Sequence, residues 1–152
     1  LSIFDQIASF SGGQITYQQT IDNLNVLDYD YYFRIIDHCL ANQISDLFLI
    51  FDEILQKGFD GQHFINGLAK HLRNLLVSKN VESIRLLDVT GDTKEKYLTQ
   101  STKCSVGFLF SGLQNLVEAE SRYRTSKDQR LVVELVLYKL GIETLEKKKI
   151  KQ

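Results

Sequence analysis

Not one proline interrupts 152 residues in which apolar side chains recur every three or four positions. Proline breaks helices because it lacks an amide proton and its ring clashes with the preceding turn. A chain without it, patterned at 3.6 residues, reads as helix almost throughout. "DYDYYFRIIDHCLAN" sets Tyr32, Ile35, Ile36, Cys39 and Leu40 on one face, with Asp28 placed to cap the start. "QHFINGLAKHLRNLLVSK" does the same with Phe64, Ile65, Leu68, Leu72, Leu75 and Leu76; Asn66, Lys70, Arg73 and Asn74 form its back. Asp60 caps this helix, and Gly58 and Gly61 separate it from the one before. "SVGFLFSGLQNLVEAESRYR" lines up Val106, Leu109, Phe110, Leu113, Leu116 and Val117 as a core face. Capping boxes stand at Thr16–Gln19 and Asp92–Glu95, where side chains three apart can satisfy orphan amides.

The one β-like run, "LFLIF" at 47–51, lies inside "ISDLFLIFDEILQK", which has helical length and stops at Gly58. No stretch alternates with period two, so the expected fold is all-α, an antiparallel helical bundle of six to eight helices with short loops. The last long helix should begin near Asp128. A seam is expected at Gly12–Gly13, after the short amphipathic segment "SIFDQIASF". Residues 1–13 are then the end of a preceding domain and a hinge, 14–148 the helical domain, and 149–152 the start of a linker. Because the chain starts with Leu and holds no Met, it reads as a piece of a longer protein.

Composition excludes more than it assigns. A net charge of −1 gives no global attraction to nucleic acid or an anionic membrane, and no apolar run reaches the ~20 residues of a membrane span. Two isolated cysteines, Cys39 and Cys104, fit a reduced cytoplasmic interior. His63 and His71 stand eight apart, not at the four-residue spacing that lets two imidazoles share a metal from one helix. Asp52–Glu53 and the Glu118/Glu120 pair read as solvated helix faces, and neither "SGG" nor "VTGDTKEK" makes a phosphate cradle. No catalytic, cofactor-binding or metal site is expected within these residues. Arg122, Arg124, Lys127 and Arg130, interleaved with acids, read as a salt-bridged surface; Lys147, Lys148, Lys149 and Lys151 read as cations at a helix end.

One helix raises a question. "QRLVVELVLYKLGIE" has Arg130, Glu134 and Lys139 as its only charges before the final glutamate, and its apolar residues form two arcs. Val132, Val133, Val136, Leu137 and Leu140 make the broad arc; Leu131, Leu135, Tyr138 and Ile142 make the narrow one. Arg130, Glu134 and Gly141 divide the arcs on one side and Lys139 on the other. Either this is a central helix wrapped by its own bundle, or one arc meets a second chain. The narrow arc is the candidate interface, because a tyrosine can bury its ring there and keep its hydroxyl wet.

The order of these segments resembles the gamma/tau subunit of the bacterial DNA polymerase III clamp loader. "GGQITYQQTIDNLNVLDYDYYFRIID" resembles the entry to that family's third domain. "GFDGQHFINGLAKHLRNLLVSK" resembles its His-Leu-Arg-containing helix, and "LVEAESRYRTSKDQRLVVELVLYKL" its ending, with Gln129 where many relatives carry Pro. "LSIFDQIASF" resembles the end of the ATPase module's lid. The resemblance implies a collar domain that assembles subunits by homo- and hetero-oligomerisation. ATP and zinc would then be bound in modules preceding Leu1, in a parent clamp-loader ATPase that acts on a sliding clamp and primed DNA in replication. An unrelated helical adaptor, holding a partner peptide in a groove between helices, is the other reading of the residues.

Overall fold

In the computed structural model, residues 28–151 are described, with side chains as far as Thr144. They form α1 (Tyr29–Leu40), α2 (Ile44–Gln56), α3 (Gly61–Val77), α4 (Gly91–Lys103), α5 (Val106–Tyr123) and α6 (Gln129–Lys151), with one 3-10 turn (Ile84–Leu86) between α3 and α4. No strand occurs among the described residues, and the 47–51 run is helical, inside α2. The expectations for residues 1–13, for the Thr16–Gln19 capping box and for the lysine-rich tail side chains fall outside the described part.

Local chemistry sets most boundaries. Asp28 accepts from the Asp30 amide at 3.1 Å, Asp60 from His63 at 2.8 Å, and Ser105 from Phe108 at 3.0 Å. Each relieves an orphan amide of a first turn. Asp128 does the same for Leu131 at 3.0 Å and starts α6 where expected. The Asp92–Glu95 box does not form: α4 begins earlier, at Gly91, behind Thr90, whose side chain makes no cap bond. α1 and α2 both end in the paired 6→1 and 5→2 bonds of a Schellman turn. Gly58 takes the left-handed position after α2 at φ 95°, and Asn42 takes it after α1 at φ 59°. Asparagine there is used twice, since its amide donates to the Gly141 carbonyl and to Thr144 Oγ1, both at 2.8 Å, tying the turn to α6.

The helices pack around α3. α5 lies antiparallel against it, with the Tyr123 hydroxyl accepting from the Gly61 amide at 3.1 Å at one end. Gly112 marks a close approach: a Cβ there would sit 2.8 Å from both Leu140 and Leu72 methyls. α6 runs antiparallel to α5 and α2, where Gly141 admits Ile44 and Leu47. α1 and α4, which are not sequence neighbours, run parallel, with Phe33 on Tyr97 at 4.8 Å between ring centroids.

Between α1, α3 and α4 lies a buried polar unit. Gln100 donates to the Phe33 carbonyl at 2.8 Å and to Asp37 Oδ1 at 2.9 Å, so its oxygen must face His71 Nε2, 2.8 Å away. That acceptor fixes the proton on Nε2 and leaves Nδ1, which has no partner, as a bare lone pair. Desolvation outweighs the Gln100 bond and the Asp37 charge, and holds the His71 pKa down to about 4. The ring packs edge-on to Phe33 at 4.6 Å and beside Tyr97 at 5.1 Å. His71 is a neutral core residue, as expected of a structural histidine.

Candidate interaction surface on the last helix

α6 separates the two arcs of its sequence. Val133, Val136, Leu137 and Leu140 are 1%, 5%, 0% and 0% exposed and belong to the core; Val132 is half-buried at its edge. Leu131, Leu135 and Tyr138 are 48%, 51% and 46% exposed, and Ile142 is half-buried. The residues bordering this stripe explain its position. On one side Arg130 bridges to Asp52 of α2 at 3.0 Å and to Glu134 at 3.4 Å. Those carboxylates, Asp52 foremost, raise Arg130 above the ordinary arginine range. On the other side a shallow groove of about 70 Å³ separates α6 from α5, with Leu135 and Lys139 on one wall and Glu118 and Arg122 on the other. Gly141, which the sequence places on the divide between the arcs, is buried against α2. Its lack of a side chain serves close packing and not the surface.

α5 departs from its expected face. Leu109 and Leu116 are buried and Leu113 half-buried, but Val106, Phe110 and Val117 are 60%, 56% and 62% exposed. The packed stripe is Phe108, Leu109, Gly112, Leu116 and Ala119, rotated toward two small residues that let α3 and α6 approach. Counting only bulky side chains missed this, because glycine and alanine carry little apolar weight yet mark where backbones come close. Asn74 is corrected likewise: assigned to the wet back of α3, it is 4% exposed, its Oδ1 accepting from Arg73 at 3.0 Å. Tyr31, Tyr32 and Phe33 are in the core, whereas Tyr29 is exposed.

The expected mixed-charge surface is present around Arg122, paired with Glu118 at 2.7 Å, and around Arg130. The larger cleft, about 350 Å³ between α1 and α4, is walled by Asp30, Arg34, Asp37, Glu95, Lys96 and Lys103. Among the described residues no three His, Cys, Asp or Glu side chains converge as metal ligands, and no helix is long and apolar enough to cross a membrane.

The sequence model of the family described as DNA polymerase III subunits gamma and tau domain III matches residues 15–151. No curated protein sequence matches the chain. The chain belongs to the DNA polymerase III gamma and tau domain III family.

Proposed function

We propose that this member of the gamma and tau domain III family is a subunit-assembly domain of a replication clamp loader, without an active site of its own. The domain begins at residue 14, with 1–13 joining it to the preceding lid. The observation that carries the reading is the stripe Leu131, Leu135, Tyr138 and Ile142, open but for half-buried Ile142, on a helix that buries Val133, Val136, Leu137 and Leu140 in the core. An ordinary surface helix shows water a polar face. This one shows water a second apolar face, and apolar patches rimmed by charge mark protein contacts. Its partners are other clamp-loader subunits, through which the domain supports ATP-driven loading of the sliding clamp onto primed DNA. ATP and zinc belong to the preceding modules, so the chain itself is no enzyme.

Two substitutions one residue apart test this. Leu135→Asp, in the intact subunit, should abolish incorporation into the clamp-loader complex while the domain melts as before, because its side chain is half in water. Val136→Asp should unfold the domain, since an unpaired charge in the core is far costlier than one at the surface. If Leu135→Asp assembles normally, the stripe is not the interface. Calorimetry on residues 1–152 should detect no micromolar ATP binding.

A further inference from the structure

The mixed charges of this domain are settled in two different ways. On the α5 and α6 side Arg122 pairs with Glu118, and Arg130 with Asp52 and Glu134. In the cleft between α1 and α4, Asp30, Arg34, Asp37, Glu95, Lys96 and Lys103 are all exposed, and none of them forms an ion pair among the described residues. The residues before α1 offer no cation, since Asp5 and Asp22 are the only charges up to Leu27. The register of the two parallel helices orders the open charges. Phe33 meets Tyr97 at 4.8 Å, and Gln100 reaches the Phe33 carbonyl and Asp37, 67 and 63 positions away. A residue of α1 therefore lies level with the one about 65 positions further along the chain, in α4. Asp30 is level with Glu95, Arg34 with Thr99 and Asp37 with Thr102. Both walls open with an acid, and the α4 wall closes with Lys103.

We infer that this cleft is a two-fold contact between two copies of the chain, in which α4 of each copy lies antiparallel to α4 of the other and seats against its α1 wall. The inference does not depend on the assembly reading. What carries it is charge that is complementary to itself. Glu95 and Lys103 stand four residues either side of Thr99. A two-fold axis at Thr99 sets Glu95 and Asp30 against Lys103 of the second copy. It sets Asp37, level with Thr102, against Lys96 of the second copy. Arg34, over the Tyr31 ring at 5.6 Å, lies level with the axis and meets the neutral Thr99. A parallel arrangement would set Glu95 against Glu95 and Lys103 against Lys103, so the charges admit one polarity. Such a contact is isologous and closes at the dimer. From Glu95 to Lys103 it runs eight steps, about 12 Å at 1.5 Å per residue. Phe33 is the only apolar residue lining the cleft, and it is itself buried. The dimer is therefore a small polar one, below the ~1,200 Å² of stable specific interfaces, and is governed by ionic strength.

The test uses the 152-residue chain carrying Leu135→Asp, so that the α6 stripe does not contribute. Sedimentation over a concentration series reaching the millimolar range should show a monomer–dimer equilibrium at an ionic strength of about 0.01 M, where charges act over about 30 Å. At about 1 M, where they act over about 3 Å, association should be weaker by about tenfold or more. In the same background Glu95→Lys and Lys103→Glu each bring like charges together across the axis, and each should weaken self-association about tenfold or more. Mixed in equal amounts, the two variants should associate again, because each carries the charge the other needs at both ends of the contact. Their melts should match the parent, both side chains being exposed. Lys96→Glu, opposite Asp37, replaces Lys103→Glu as the self-association test should the latter melt lower. A parent that stays monomeric at low salt, a variant that associates like the parent, or a mixture that stays apart overturns the inference. Association indifferent to salt and to both charge variants would lie on another face, so this contact falls, while the assembly function is judged by Leu135→Asp in the intact subunit.

Discussion

Lowering the pH from 7.5 toward 4.5 should destabilise this domain through His71. Its folded pKa is held near 4 by burial, against 6.5 for the exposed imidazole. Between those values the unfolded chain binds a proton that the folded chain refuses. Stability is therefore complete above pH 6.5, declines as pH falls through the window, and levels off below 4. The full difference of about 2.5 pH units corresponds to about 3 kcal/mol, of which roughly 2.5 kcal/mol should be lost between pH 7.5 and 4.5. That is a large part of the ~5–15 kcal/mol that ordinary domains possess. The matched control is His71→Phe, which keeps a ring among Phe33, Tyr32 and Tyr97 and removes the titration. It leaves the Gln100 oxygen unpaired, so the variant should be less stable at pH 7.5 by about 1–3 kcal/mol. Urea unfolding followed by circular dichroism at stepped pH gives both curves. Every other titrating group is common to both proteins and cancels in the difference. The two curves should converge as pH falls. Parallel curves between pH 7.5 and 4.5 would refute the neutral, Nε2-protonated core histidine.

Three further outcomes follow from the packing. Asn42→Ala should cost about 1–3 kcal/mol in urea unfolding, by removing the bonds to Gly141 and Thr144; Asn42→Gly should recover only the part due to the left-handed backbone. Gly112→Val should cost about 1–3 kcal/mol or more by overpacking against Leu72 and Leu140, seen as a lowered melting temperature. Cys39 and Cys104 are buried and free, and desolvation pushes the Cys104 thiol up to about 11 and Cys39 higher still. Both should resist a thiol reagent in native protein at pH 8 and react only as fast as the chain opens, a rate measured against denatured protein.

Where bulky side chains dominated a face, the sequence was enough. α3 could be read from Phe64, Ile65, Leu68, Leu72 and Leu75, and its cap from Asp60, because burial there is set by large residues at helical spacing. α5 could not. Its apolar residues cover more of the circumference than one neighbour can bury, and Gly112 and Ala119 decide which part turns inward. Periodicity says that two faces are apolar, but only backbone approach says which one α3 takes. Asn74 shows the same limit in polar form. Its place on α3 looked wet by type, yet the neighbouring Arg73 supplies a donor that makes burial tolerable. Gln100 and His71, 29 residues apart, share a bond that no local spacing announces.

On α6 the separation of arcs has a consequence for how assembly and folding are coupled. Leu137 and Leu140 are fully buried, while Leu135 and Tyr138, on the adjoining turns, stay half in water. The helix is thus fixed before any partner arrives. Its interior stripe is locked by α1, α2, α3 and α5, and the Asn42 bonds to Gly141 and Thr144 anchor it beyond the stripe's midpoint. A rigid, exposed stripe presented this way loses little side-chain or backbone freedom on association, so more of the apolar burial is retained as affinity. The same anchoring implies that Asn42→Ala should weaken assembly as well as stability, though the residue lies outside the proposed contact stripe. Leu135→Asp should weaken assembly alone. If Asn42→Ala lowers the melting temperature but leaves assembly of the intact subunit unchanged below the melt, α6 does not need that anchor to present its stripe.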